Sequence, residues 1–386
     1  MYPRISDFLN DILGTNWNLP IQSYGFFLAL TFLVAAILIK KELKRKETYG
    51  ILEPLKRKVI IGKAASFPEL ILSGLYGFIL GFKLVGIILN YSDFSVNPQE
   101  YLFSLKGNII SGLVFAGYQI YRTHKQKAKK KLSNPESVIK LIPISDITAN
   151  LILIAAISGI IGAKIFHQFE YPNEFLSDPI EALFSFSGLT FYGGLISAAI
   201  TLIIYCKKKN IPWSEIADAA APALMLGYAI GRIGCQVSGD GDWGIVNLAA
   251  QPDFLSFLPE WTWAYDYPNN VLSQGIRIPD CDGIYCYRLA QPVFPTPLYE
   301  TSLCFLMFLG LWGIRKRLQI SGVLFSIYLI LNGIERFFIE KIRVNSTYTI
   351  FKTEITQAEI ISFALILLGI IGLFYFKRKH LSNIKE

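Results

Sequence analysis

The sequence predicts an all-α polytopic integral membrane protein. It has about nine transmembrane helices, an outside N-terminus, a cytoplasmic C-terminus and a small extracytoplasmic cap. Three observations predict it. Of 386 residues, 52% are hydrophobic and only 17% charged, against about 25% charged in an ordinary soluble domain. The apolar residues gather in runs long enough to cross a bilayer. Lys and Arg cluster after alternate runs, which sets the orientation. The formal net charge of +8 is read as that membrane asymmetry, and no nucleic-acid partner is expected.

The runs fall at about 22–39, 69–89, 107–121, 149–167, 189–206, 216–236, 299–314, 320–338 and 359–376. Lys40–Lys46 follows the first, the Arg122–Lys131 run the third and Lys207–Lys209 the fifth. Arg315–Arg317 follows the seventh and Lys377–Lys379 the ninth. Every basic cluster thus lies after an odd-numbered run, and losing one run breaks the alternation. The organisation expected is an N-terminal extracytoplasmic segment (1–21), a transmembrane domain (22–378) and a cytoplasmic tail (379–386). A duplicated hairpin (69–131) and the cap (237–298) are insertions within that domain. No cleavable signal peptide is expected, because residues 1–20 hold Pro3, Asn10, Gly14 and Pro20 without a charged start or a small-residue cleavage site. Cys206 and Cys304 sit in apolar runs and read as small buried hydrophobes. Cys281 and Cys286 lie in a polar loop and pair if that loop faces an oxidising compartment.

The duplication is legible at a constant offset of 81 residues, with 74–117 aligning to 155–198 without a gap. Gly81, Lys83, Pro98, Glu100, Gly107 and Gly112 match Gly162, Lys164, Pro179, Glu181, Gly188 and Gly193, and Leu102-Phe103-Ser104 matches Leu183-Phe184-Ser185. Apolar matches between membrane helices arise by chance, so the Gly, Lys, Pro and Glu matches carry the reading. The copies differ where chemistry is expected: Ser111 stands in the place of Tyr192.

Ionisable residues inside an apolar run are costly unless paired or facing a wet cavity. Arg232 through Gly244 closes the sixth run with an arginine, Asp240, Asp242 and several glycines. Asn332-Gly333-Ile334-Glu335-Arg336 closes the eighth, with Glu340 and Arg343 beyond it. Tyr192 opens the fifth run and Tyr24 the first. The bland reading makes these structural ion pairs and interfacial tyrosines. The functional reading joins Arg232 and Arg336, from two helices, on one anionic oxygen group. A guanidinium fork suits phosphate, and the phosphate most abundant at a membrane surface is a lipid headgroup. His124, His167 and His380 show no metal-ligand spacing and there is no P-loop, so neither metal nor cofactor is expected.

These residues resemble those of the prolipoprotein diacylglyceryl transferases of bacteria. The resemblance rests on Gly231-Arg232-Ile233-Gly234 through Gly244, Tyr24-Gly25, Gly162-Ala163-Lys164 and Gly188-Leu189-Thr190-Phe191-Tyr192-Gly193-Gly194. Pro297-Leu298-Tyr299-Glu300, Gly333-Ile334-Glu335-Arg336 to Glu340, and Thr356–Ser362 complete it. It covers about residues 20–40 and 150–378. It implies transfer of the diacylglyceryl group of phosphatidylglycerol to the lipobox cysteine of prolipoproteins at a bacterial inner membrane. A thioether forms and glycerol phosphate leaves. It implies catalytic roles for Arg232, Arg336, Tyr192 and Asp240, and substrate binding by Tyr24, Arg232, Gly244, Arg336 and Asn332. The chain departs from the family where Tyr192 replaces a histidine, Cys235 and Ser238 replace asparagines, Asp240 replaces a glutamate and Asn332 replaces a tyrosine. A tyrosine with an ordinary pKa near 10 is a poor base, so Tyr192, Asp240, Asp242 and the phosphate all stand as proton acceptors. A paralogue that binds phospholipid without this transfer, or uses another acceptor, is the alternative; a small-solute transporter is a distant third.

Overall fold

The long apolar runs become helices, as the cost of an unpaired backbone polar group in a bilayer demands. In the computed structural model, which describes residues 1–96, 98–177, 179, 190–345, 347–350 and 353–385, a helix stands at each of the nine expected places. In chain order the helices are α1 (Ile5–Leu13), α2 (Ser23–Thr48), α3 (Phe67–Leu89), α4 (Tyr91–Val96), α5 (Pro98–Phe103), α6 (Ile109–Lys129), α7 (Thr148–Glu170), α8 (Pro172–Ser177), α9 (Phe191–Lys208), α10 (Trp213–Ser238), α11 (Thr296–Ile314), α12 (Val323–Glu340) and α13 (Gln357–Lys385). Among the described residues, six segments are long and apolar enough to cross a membrane: α2, α3, α7 with the turn before it, α10, α11 and α13. Strands are short: β1 (Leu55–Ile61) pairs antiparallel with β2 (Glu136–Ile142), β3 (Ile276–Arg277) with β4 (Tyr287–Arg288), and β5 (Thr347–Ile350) with β6 (Thr353–Thr356).

The chain forms two compact units. Residues 16–20 and 54–143 make one; residues 1–15, 21–53 and 144–386 make the other. The first holds α3 and α6 packed as a hairpin, capped by local chemistry. Ser66 and Glu69 form a reciprocal capping box at the start of α3, and the Asn108 side chain accepts the Ser111 N–H at the start of α6. Lys83 donates to the carbonyls of Tyr101 (2.8 Å), Ser104 (2.5 Å) and Lys106 (2.9 Å), so it ties down the connection between the helices.

In the larger unit α7 and α9 form a second hairpin. A Cβ on Gly162 would lie 2.7 Å from the Gly193 carbonyl oxygen, and a Cβ on Gly81 in the α3–α6 hairpin 2.5 Å from the Ser111 carbonyl. The matched glycines thus permit the same close helix approach in both hairpins. Glu181, Leu183-Phe184-Ser185, Gly188 and Leu189 of the second copy lie outside the described residues.

The larger unit is organised around α10, half of whose membrane-length window is buried, more than in any of the other five segments. Ala221, Met225 and Ala229 of α10 meet Cys304, Phe308 and Leu311 of α11 and Leu324 of α12 in the core. Pro222 lies inside α10, fully buried, and the helix continues through it. Asp218 of α10 caps α12 from the side, accepting the N–H groups of Gly322 (2.7 Å) and Phe325 (2.8 Å).

At the first run the helix overshoots its expected end. α2 continues through the basic cluster to Thr48. Lys, Arg and Glu are good helix formers, and their charges are matched: Glu42 binds Arg45 and Arg315 (3.1 Å), and Lys46 binds Glu215.

The cap has its own core. Tyr267, 1% exposed, packs on Trp243 and Tyr265 with centroids 5.1 and 4.8 Å away. Fully buried Asn270 donates to the carbonyls of Tyr267, Gln274 and Tyr287 and accepts the Gln274 N–H. Cys281 and Cys286 are joined as a disulfide. Cys206 and Cys304 are buried, as their apolar surroundings imply.

Candidate functional site

α10 ends at Ser238, and the chain then turns through Gly239 (φ 64°) and Gly241 (φ 98°). Only glycine adopts such angles without strain. The turn folds residues 240–244 back over the last turn of α10, and the Thr296 hydroxyl fixes it by donating to the Asp242 carbonyl at 2.7 Å. Beside it, the first residues of the chain are tied to α10 and α2. The Tyr2 N–H donates to Val237 O, and the Ser23 N–H to Pro3 O, each at 2.9 Å.

Three arginines converge below this turn. Arg232 of α10 pairs with Asp242 and, through Nε, with Glu300 Oε2 at 2.8 Å. Arg336 of α12 places Nη1 3.9 Å from the same Glu300 oxygen and Nη2 3.1 Å from Glu340. Arg343, just past α12, bridges Glu300 Oε1 at 3.2 Å and Asp242 Oδ1. Tyr228 donates its hydroxyl to Glu300 Oε2 at 2.5 Å and lays its ring against the Arg232 guanidinium. Glu300 is fully buried. A carboxylate so placed is tolerable only because cations and a hydroxyl surround it.

The two arginines singled out by the sequence therefore meet at one carboxylate oxygen. The guanidiniums are not fully satisfied. Arg336 Nη1 and Arg343 Nε are buried and make no hydrogen bond among the described residues, and neither do both carboxylate oxygens of Glu335. Buried donors without acceptors are rare and costly.

Asp240 and Asp242, alike in sequence, separate in structure. Asp242 is held by Arg232 and Arg343. Burial pushes its pKa up, but the two guanidinium charges outweigh that and hold it below the usual carboxylate range. Asp240 makes no ion pair among the described residues. Burial, and then the Asp242 charge, push its pKa up. Arg232 is thus matched by Asp242, two residues beyond the carboxylate to which the resemblance assigns a catalytic role. Cys235 Sγ lies 3.5 Å from Asp242 Oδ2. Cys235, Asp240 and Asp242 stand close enough to share a cation, but Asp242 already faces two guanidiniums, and the donor set is that of an arginine site.

The remaining expected residues divide. Tyr24 opens α2, 45% exposed, within electrostatic reach of Arg232, Cys235, Asp240 and Asp242. Tyr192, in the first turn of α9, reaches Arg336 electrostatically. Gly244 is buried, bridges Arg343 backbone to backbone and donates its N–H to Phe294 O at 2.8 Å. A Cβ there would lie 2.9 Å from both Phe294 Cβ and Thr296 Cγ2. The glycine therefore seats Arg343 at a place with no room for a side chain. Asn332 lies half-buried one turn before Arg336 on the same helix face. It makes no hydrogen bond or ion pair among the described residues.

Glu300, Arg343 and Tyr228 complete the cluster without having been assigned roles from sequence. Glu300 carries a signal of its own, a carboxylate at the very start of an apolar run.

Comparison with known proteins follows the same residues. The family model for prolipoprotein diacylglyceryl transferase matches residues 108–375. Similar proteins include three phosphatidylglycerol–prolipoprotein diacylglyceryl transferases. That of Oceanobacillus iheyensis is 30% identical over 240 residues, covering 62% of this chain and 76% of the relative. That of Finegoldia magna is 32% identical over 249 residues, covering 62% and 85%. That of Staphylococcus haemolyticus is 31% identical over 302 residues, covering 76% and 91%.

Proposed function

Because the chain belongs to the prolipoprotein diacylglyceryl transferase family, we propose that it moves the diacylglyceryl group of phosphatidylglycerol to the lipobox cysteine of prolipoproteins. The observation that carries this is the convergence of Arg232, Arg336 and Arg343 on Glu300, with guanidinium N–H groups that find no acceptor among the described residues. The lipid phosphate supplies acceptor oxygens. The substrate thiolate attacks the glyceryl carbon that bears the phosphate ester. A carbon–sulfur bond forms, the carbon–oxygen bond breaks, and glycerol phosphate leaves with the electron pair. Guanidiniums fixed in a water-poor site stabilise that leaving charge without reorganising.

Asp240 takes the thiol proton. It is the carboxylate at the turn that no arginine holds, and its raised pKa makes it the better base of the two. Asp242 keeps its charge for the arginines. Tyr192 and Tyr24 flank the site as hydrogen-bond donors to the lipid head, and Asn332 lines its approach along α12.

The same reading places the chain in a bacterial inner membrane with nine crossings and the N-terminus outside. The helices at all nine runs and the basic clusters after the odd-numbered ones support it. The reactive end then faces the side on which prolipoproteins emerge, and the disulfide in the cap suits that compartment. We read α3–α6 as a duplicate of the α7–α9 hairpin, inserted as scaffold.

The test is transfer from phosphatidylglycerol to a lipobox peptide by the purified chain in nanodiscs. Thioether product, released glycerol phosphate and no product on a Cys→Ser peptide are expected; solute flux or lipid binding without product would overturn the reading.

The proton assignment has its own signature. An acceptor works only when ionised, so the rate rises with pH through the raised pKa of Asp240. The acid limb of the profile should stand above the ordinary aspartate value of about 3.9. Asp240→Asn should remove that limb and slow transfer about 10²-fold or more. An unchanged limb and rate in Asp240→Asn would assign the proton elsewhere.

A further inference from the structure

The positive charge of this chain is not spread over it. Residues 54–143 hold 13 of the 37 Lys and Arg but four of the 29 Asp and Glu, a net +9; the other 24 basic and 25 acidic residues give −1. Within this unit the basic side chains gather at one end. Lys56, Arg57, Lys58 and Lys140 lie on the β1–β2 ribbon, and the Arg122–Lys131 run ends α6. The Leu132 N–H donates to Gly62 O at 3.2 Å, which joins the end of β1 to the chain leaving α6.

The ribbon does not stand comfortably in water. A two-stranded ribbon with no third layer is marginal. The register sets Arg57 directly opposite Lys140, and like charges so placed repel. One face carries Lys56 beside Leu141, Lys58 beside Ile139, and Ile60 beside Ser137. Its aliphatic side chains are open: Ile60 is 56% exposed, Leu141 55% and Ile139 66%. Basic groups interleaved with exposed aliphatic ones match a bilayer interface, where the cations meet anionic headgroups and the aliphatic groups reach the acyl boundary. The place is right as well. Five residues separate β1 from α3, a helix of membrane-crossing length, so the ribbon lies within about 17 Å of that helix's end.

We propose that the β1–β2 ribbon and the basic end of α6 form a docking surface for anionic phospholipid headgroups of the leaflet they adjoin. This surface is separate from the arginine cluster and does not rest on the transferase reading. It holds the cationic unit against the anionic bilayer and relieves the Arg57–Lys140 repulsion.

The test uses the full chain in nanodiscs with an environment-sensitive thiol dye on Ile139→Cys. The free native cysteines are buried and the other two form the disulfide, so the label is selective. In discs of phosphatidylcholine with phosphatidylglycerol, the dye should emit to the blue and be about fivefold less accessible to iodide than in pure phosphatidylcholine. High salt, or the combined Lys56→Gln, Arg57→Gln, Lys58→Gln and Lys140→Gln variant, should return it to the pure-phosphatidylcholine signal. Emission equally red in both lipids would overturn the proposal. Protection independent of lipid charge, and present only with two copies per disc, would overturn it too and mark the ribbon as a self-pairing edge.

Discussion

Arg232→Ala and Arg336→Ala should each slow diacylglyceryl transfer by about 10²–10³-fold, the effect of removing a fixed donor from a developing anion. The loss should fall on kcat at saturating phosphatidylglycerol, because the phosphate carries more charge as it leaves than in the bound lipid. Lysine at either position should recover only part of the rate. It restores a point charge without the planar fork that meets two oxygens at once. Arg232 has the larger structural share, since it holds both Asp242 and, at 2.8 Å, Glu300, whereas Arg336 lies 3.9 Å from Glu300 and, among the described residues, pairs closely with Glu340 alone. Its alanine variant should therefore unfold at lower temperature than the Arg336 variant. Full activity in either variant would remove that arginine from the site.

Glu300→Ala is the second large effect, and it acts through stability as well as rate. Glu300 is fully buried and faces three guanidiniums and the Tyr228 hydroxyl. Removing one partner of a buried ionic group leaves the others uncompensated, at about 3–5 kcal/mol. Thermal unfolding in detergent should show this as a marked fall in Tm. Glu300→Gln separates the two roles. It keeps volume and one acceptor oxygen, so Tm should fall less, while the arginines lose the charge that gathers them and transfer still drops. A Glu300→Gln chain with native rate and native Tm would show that the arginines are positioned without this carboxylate.

The helical architecture and the choice of Arg232 and Arg336 were legible because membrane burial makes both visible in one dimension. An apolar run has one stable backbone form in a bilayer, and an arginine near such a run demands a reason. Helix limits were less legible. α2 runs past its basic cluster because Glu42, Glu215 and Arg315 pair with charges there, and two of those partners lie more than 160 residues away. The aromatic residues of the cap suit an interfacial belt equally well by composition, yet Trp243 and Tyr265 pack on Tyr267. Composition does not distinguish a ring facing lipid headgroups from a ring facing another ring.

The carboxylates show the limit most clearly. Asp240 and Asp242 have the same chemistry, two residues apart; the resemblance pointed to the first, and the residues alone left both open as proton acceptors. The turn at Gly239 and Gly241 separates them by aiming Asp242 at Arg232 and Arg343, while Asp240 makes no ion pair among the described residues. Gly244, which the resemblance gives as a contact for substrate, also seats Arg343, and only the fold shows that pairing. From its residues alone, then, the chain specified a helical membrane protein with two arginines to explain. Tertiary structure alone chose their partners, because an ion pair depends on separations of a few ångströms between helices that are distant in sequence.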